Sequence, residues 1–189
     1  MKKRSPERRP KRLPGDPSKK QMIERMVRVD HAGEFGAVRI YEGQLAVLGK
    51  SKTAPVIRHM LDQEKDHLKR FDDLIADRRV RPTALLPLWH MAGFALGAGS
   101  ALLGEKAAMA CTVAVEEVID EHYAAQISEL ADEADETDLK ETFEKFREEE
   151  LAHRDTGLEH GAEQAPGYEV LSGAVKAGSR LAIWLSTRV

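Results

Sequence analysis

Apolar residues recur at three- and four-residue spacing over four long stretches of this chain, the period of one face of an α-helix. In the first, from about Lys19 to Leu48, Val27, Val38, Tyr41, Leu45 and Leu48 share a stripe, and Gly49 closes it. The second begins near Thr53, read as an N-cap with Pro55 close behind. Its face is Ile57, Met60, Leu61, Leu68, Phe71 and Ile75, and it ends near Arg78, ahead of Pro82. A third stretch covers about Glu105 to Ala131. A fourth covers about Asp138 to Gln164, where Pro166 and Gly167 stop it. The acidic run Asp132 to Asp138 reads as a solvated connection. Runs of β-branched residues are rare, so the expected fold is all-α, a four-helix bundle.

Two further segments do not fit a plain bundle. Residues 82–104 contain no Asp, Glu, Lys or Arg, which approaches the length that crosses a bilayer. Pro87, His90, Gly93, Gly97 and Gly99 interrupt the run, with Trp89 near its start. A buried or membrane-facing helix running on into the next element is the expectation, with a true span as the lesser alternative. Residues 168–187 form an amphipathic helix. Val170, Leu171, Ala174, Val175, Gly178, Leu181, Ala182 and Leu185 lie on its broad apolar face, and Lys176, Arg180 and Arg188 on its basic side. Such a helix either packs on the core or lies in a membrane interface.

The chain's 189 residues, 42% hydrophobic and 32% charged, suit one globular domain. We place it at residues 21–189, behind a disordered basic tail of residues 1–20. The tail carries nine Lys or Arg against Glu7 and Asp16, and Pro6, Pro10, Pro14 and Pro17 break any helix. It is a plain solvated leader or a tether to anionic lipid, with nucleic-acid binding as a weaker third reading. With a net charge of −3 overall, the rest of the chain carries −10, and an acidic body argues against nucleic acid as a partner. One cysteine, Cys111, excludes an intrachain disulfide and a cysteine metal cage. No apolar core of a secretory signal follows the basic start, so a reducing interior compartment is expected.

The chemistry rests on two Glu-x-x-His motifs, Glu64-Lys-Asp-His67 and Glu150-Leu-Ala-His153. Three residues apart on a helix, both side chains leave one face. With 20 Glu and 7 His, chance alone gives about 0.7 such pairs, so their setting matters more than their number. Each motif falls in mid-helix, and each is preceded by a helix with a candidate Glu: Glu34 lies 30 residues before Glu64, and Glu116 lies 34 before Glu150. Two helical halves, each carrying Glu and then Glu-x-x-His, would meet about a pseudo-twofold axis and build a di-iron or di-manganese site. Glu34 lies on an apolar stripe, where a carboxylate is costly unless paired or metal-bound. Two positions stay open on this reasoning: Glu117 competes with Glu116, and Glu149 with Glu150. Asp30, one turn before Glu34, is a candidate for orienting an imidazole. The histidines at 31, 59, 90, 122 and 160 have no Glu three residues before them. Tyr123 lies seven residues after Glu116, nearly on its face, beside His122.

The segments Val29-Asp-His-Ala-Gly-Glu34, Asp62-Gln-Glu-Lys-Asp-His67, Val113-Ala-Val-Glu-Glu117 and Glu149-Glu-Leu-Ala-His153 resemble demethoxyubiquinone hydroxylase. So do Leu86-Pro-Leu-Trp89 and the stretch from Gly93 to Gly99, and the resemblance extends from about Met22 to the C-terminus. It implies a ferritin-like di-iron monooxygenase of ubiquinone biosynthesis, with iron ligands at Glu34, Glu64, His67, Glu116, Glu150 and His153. Of the open alternatives it selects Glu116 and Glu150. It assigns His122 and Tyr123 to reduction of the site.

The implied substrate is a polyprenylated benzoquinone or quinol lacking one ring methoxy group, with O2 as co-substrate. Electrons would come from NADH, directly or through the quinone. No dinucleotide fingerprint is present, because Gly97-Ala-Gly99 lacks the third glycine. The apolar segment and the C-terminal helix would seat the enzyme peripherally on a membrane. That membrane is the cytoplasmic face of the cell membrane in a bacterium, or the inner mitochondrial membrane in a eukaryote. The same surfaces would otherwise dock pathway proteins or a second copy of the chain. Iron storage or peroxide defence, and a membrane adaptor without metal, are the rival readings.

Overall fold

The computed structural model describes residues 15–189. Among these the helices are α1 (Lys19–Leu48), α2 (Ala54–Arg78), α3 (Leu86–Leu102), α4 (Glu105–Glu129), α5 (Thr137–Glu159) and α6 (Tyr168–Ser186). A 3-10 turn spans Ala162–Gln164, and no strand occurs among the described residues. Helices α1, α2, α4 and α5 make a ferritin-like bundle, with α3 laid on α1 and α6 on α4. Residues 1–14 of the expected tail lie outside the described residues.

Helix α1 starts on a capping box. The Ser18 side chain accepts from the Gln21 backbone, and Gln21 Oε1 accepts from the Ser18 N–H at 2.9 Å. Lys19 and Lys20 are therefore the first turn of the helix. Thr53 precedes α2 but does not cap it; its hydroxyl pairs with Ser51 at 2.9 Å, and Pro55 supplies the preset start.

Two apolar clusters fill the bundle. One joins Ile23, Val27, Phe71, Leu74, Phe143 and Phe146; the other joins Val38, Ile57, Met60, Met109 and Val113. On α1, α2 and α4 the candidate Glu and His positions lie between these clusters, and on α5 they follow Phe143 and Phe146 of the first.

Two expected boundaries are corrected. The apolar segment does not run on into α4, because Gly104 takes φ +110°, which breaks the helix. The fourth bundle helix stops at Glu159 rather than Gln164, since Gly161 turns the chain at φ +80° and the short 3-10 turn seats Ala162 in the core.

Helix α3 turns its small residues inward. Gly93, Gly97, Ser100 and Ala101 are buried, whereas Met91, Leu102 and Leu103 are 72%, 75% and 68% exposed. A Cβ at Gly97 would collide with the Ile40 carbonyl, and one at Gly43 with the Phe94 carbonyl, so glycines on both helices allow backbone to lie on backbone. Helix α6 buries Ser172, Val175 and Ser186 and exposes Val170, Leu181 and Trp184. Trp89 Nε1 donates to Ser186 Oγ at 2.9 Å and ties α3 to α6. Among the described residues no helix is long and apolar enough to cross a membrane.

Candidate metal centre

Glu34 comes from α1, Glu64 and His67 from α2, Glu116 from α4, and Glu150 and His153 from α5. None is more than 4% exposed. Ligand atoms of Glu34, Glu64, His67 and Glu150 lie within 4.8 Å of one another, as do those of Glu64, Glu116, Glu150 and His153. Glu64 and Glu150 belong to both groups, so the cluster offers two adjacent positions with two shared carboxylates.

Both imidazoles present Nδ1 to the carboxylates. His67 Nδ1 lies 3.1 Å from Glu150 and 3.4 Å from Glu34; His153 Nδ1 lies 3.1 Å from Glu64 and 3.2 Å from Glu150. The opposite nitrogens point outward. His67 Nε2 is 2.7 Å from Glu149 Oε2, and His153 Nε2 is 3.1 Å from Gln63 Oε1. Those acceptors fix the proton on Nε2 and leave Nδ1 as the donor atom for a metal. The Phe146 ring stacks on His67 with centroids 3.9 Å apart, which holds that ring in place.

The residues present fit a pair of divalent cations. Glu34 Oε2 and both Glu64 oxygens are buried without a hydrogen bond and face the imidazole Nδ1 atoms. Orphaned buried carboxylate oxygens are costly unless a cation meets them. Four carboxylates would balance two 2+ ions, and an all-oxygen and imidazole donor set suits iron or manganese.

The electrostatics of the protein alone tell the same story. Burial, with Glu150 and then a second neighbouring carboxylate, pushes Glu64 and Glu116 well above the usual carboxylate range. Burial disfavours charge on His67, but its contacts with Glu150 and Glu34 outweigh that and push it up to about 12. Burial likewise opposes ionisation of Glu150, yet hydrogen bonds to His153 and His67 bring it down to about 2.

Of the alternatives, Glu117 faces away and pairs with Lys176 on α6. Glu149 is near the cluster but contacts the outer nitrogen of His67. Asp30, expected to orient an imidazole of the site, pairs instead with His122 at 2.9 Å and not with His67 or His153. Tyr123 donates to Glu34 at 2.5 Å. His31 is buried and meets Asp72 at 3.0 Å, and His160 Nδ1 lies 2.8 Å from the Thr156 carbonyl.

The sequence places Tyr41 on the apolar stripe of α1, yet its hydroxyl donates to Glu116 at 2.8 Å. The signal was there: Tyr41 follows Glu34 by seven residues, as Tyr123 follows Glu116. Gln44 and Gln126, ten residues after the same glutamates, also sit in matching places. Gln126 donates to Asp30 at 3.0 Å and Gln44 to Thr112 at 3.3 Å.

A helical bundle that gathers buried glutamates from four helices and histidines from two has the donor set of a carboxylate-type metal centre and could hold a metal ion. The family model of Ubiquinone biosynthesis protein COQ7 matches residues 21–186, and the chain belongs to that family. It is 65% identical to the 3-demethoxyubiquinol 3-hydroxylase of Rhodospirillum rubrum over 179 residues, 94% of this chain and 84% of that protein. It is 58% identical to the human mitochondrial NADPH-dependent 3-demethoxyubiquinone 3-hydroxylase, over 88% of this chain and 78% of that protein. The 5-demethoxyubiquinone hydroxylase of Saccharomyces cerevisiae, also mitochondrial, is 41% identical over 97% of this chain and 85% of that protein.

Proposed function

We propose that this protein is an oxygen-dependent monooxygenase that hydroxylates the demethoxy position of a polyprenylated benzoquinone or quinol in ubiquinone biosynthesis. The carrying observation is the buried cluster of four carboxylates and two imidazoles, in a chain so similar to hydroxylases of that substrate. Glu34, Glu64, His67, Glu116, Glu150 and His153 would hold two iron ions, whose role when bound is to supply the reduction and activation of O2.

The chain's own residues set the rest. Tyr123 and Tyr41 each hold one oxygen of Glu34 and Glu116, the carboxylates that belong to one metal position apiece. Burial, then Glu34 and Glu116 respectively, pushes the Tyr123 and Tyr41 phenols well above their ordinary value, so both keep their protons. His122 has a side chain 20% exposed and pairs with the buried Asp30, and its ring centroid lies 6.4 Å from that of Tyr123, which touches Glu34. That order suits delivery of electrons and protons to the cluster from outside. The donor is a reduced nicotinamide nucleotide, either NADH or the NADPH named for the human relative, acting directly or through the quinone.

The outward apolar residues of α3 and α6 suit a very apolar substrate held in lipid. Leu88, Met91 and Leu102 on one helix and Leu103 just past its end, with Val170, Leu181 and Trp184 on the other, would seat the protein peripherally on a bilayer. Arg180 on α6, which also pairs with Glu121, and Arg188 just past its end are exposed, where they can meet lipid phosphates. The membrane is the cytoplasmic face of the cell membrane in a bacterium and the inner mitochondrial membrane in a eukaryote.

Expression in cells that lack the hydroxylase and accumulate the demethoxy-quinone tests the assignment. The chain should clear that compound and restore ubiquinone. Folded, iron-loaded protein that leaves the compound in place would overturn the assignment and favour iron storage.

A further inference from the structure

The two halves of the centre superpose residue by residue in their roles, and this exposes where they differ. Glu34 corresponds to Glu116, Tyr41 to Tyr123, Gln44 to Gln126, Glu64 to Glu150 and His67 to His153. The residue just before each shared glutamate reaches across the bundle to the outer nitrogen of the opposite histidine. From α5 this residue is Glu149, 2.7 Å from His67 Nε2; from α2 it is Gln63, 3.1 Å from His153 Nε2. One imidazole is thus backed by a carboxylate and the other by a neutral amide. Two more departures are Asp30, where the second half has Thr112, and Ile40, where the second half has His122. His122 and Gln126 already engage Asp30, and it does not touch a candidate ligand imidazole.

We propose that the two metal positions are unequal by construction: Glu149 is a positioning residue that strengthens His67 as a donor, so the Glu34–His67 position takes up a divalent cation before the Glu116–His153 position. This rests on the two-metal reading above. A carboxylate accepting the Nε2 proton raises electron density on Nδ1 and adds a negative charge close to the bound ion. An amide oxygen fixes the same tautomer without that charge. Solvent access acts in the same direction. Glu149, Gln63 and His67 line an open cavity of about 310 Å³, and His153 does not.

The test is a titration of the metal-free full-length protein with cobalt(II) without oxygen, followed by visible absorption and calorimetry. Wild type should bind two ions in distinct steps. Glu149→Gln should weaken the first step about 10- to 100-fold, the usual effect of losing such a partner, and leave the second unchanged. Gln63→Glu should tighten the second step and bring the two together, so a gain as well as a loss is read. Metal-free circular dichroism and Tm of both variants should match wild type, which a merely structural role for Glu149 would not predict. Two equal steps in wild type, or a Glu149→Gln titration with both steps unchanged or equally weakened, would overturn the inequality alone. Folded wild type that binds fewer than two ions would overturn the two-metal reading and this inference with it.

Discussion

The Tyr41 hydroxyl on α1 donates a 2.8 Å hydrogen bond to the Glu116 carboxylate on α4, across the middle of the bundle. Tyr123 returns the bond from α4 to Glu34 on α1. Each half of the chain thus holds the terminal carboxylate of the other.

This reciprocity separates structure from chemistry. Tyr41→Phe and Tyr123→Phe each leave one buried carboxylate oxygen without its donor, a loss of about 1–3 kcal/mol. Thermal unfolding should show similar losses for the two. If His122 and Tyr123 carry electrons and protons, Tyr123→Phe should slow reduction of the iron-loaded protein far more than Tyr41→Phe. Rapid-mixing measurements with NADH and NADPH would read this. Equal rates in the two variants would remove Tyr123 from that path.

Metal uptake should release protons. Glu64 and Glu116 have raised values in the metal-free protein, so they stay protonated above the ordinary carboxylate value of 4.5. A cation must displace those protons, and calorimetry in buffers of different ionisation enthalpy should count them. The sign for stability follows. A raised carboxyl stabilises the fold fully below the unfolded-state value, and that contribution is lost as pH rises through the folded one. Metal-free protein should therefore weaken as pH rises from 4.5, and bound metal should reduce that loss. Unchanged metal-free stability across that window would count against the buried cluster.

Gly97 sets how closely α3 approaches α1. Gly97→Val places branched carbon against the Ile40 carbonyl and should destabilise the protein by about 3 kcal/mol, at the upper end of overpacking. Gly99 has open space at its Cβ position, so Gly99→Val should be far milder. Equal losses in denaturant titrations would mean that α3 does not pack as described.

Membrane seating by α3 and α6 predicts a specific loss. Leu102→Glu with Trp184→Glu should leave iron content and Tm near wild type. The same pair should sharply reduce co-sedimentation with vesicles of phosphatidylcholine and anionic lipid. Undiminished vesicle binding would assign the apolar surface to a protein partner or a second copy of the chain.

Much of the bundle was legible because its helices obey one rule. The stripe through Val27, Val38 and Tyr41 had the helical period and did turn inward, and α1 spans Lys19–Leu48 as expected. The failures came from residues whose role depends on backbone geometry or long-range packing. Gly104 and Gly161 break helices through left-handed or extended-positive φ values, which hydrophobic period does not encode. Helix α3 has its large residues outside because its small ones touch α1, an inversion that apolar content alone hides. Local spacing brought Glu64 to His67, and Glu150 to His153. Glu149 was ambiguous because a position next to a motif residue can face the partner helix instead, as it does here. Tyr41 looked like core filling because a tyrosine on an apolar stripe fits there equally well. Its equal offset from Glu34, seven residues, is what pairs it with Tyr123 after Glu116.

Iron content after anaerobic loading with Fe(II) and removal of excess metal tests the central claim most directly. Two irons per chain are expected for wild type and for Glu117→Ala, whose target faces Lys176. Glu64→Ala and Glu150→Ala should each fall well below two, since each removes a carboxylate common to both positions. Fewer than two irons in folded wild type, or two retained after either of those substitutions, would contradict the account.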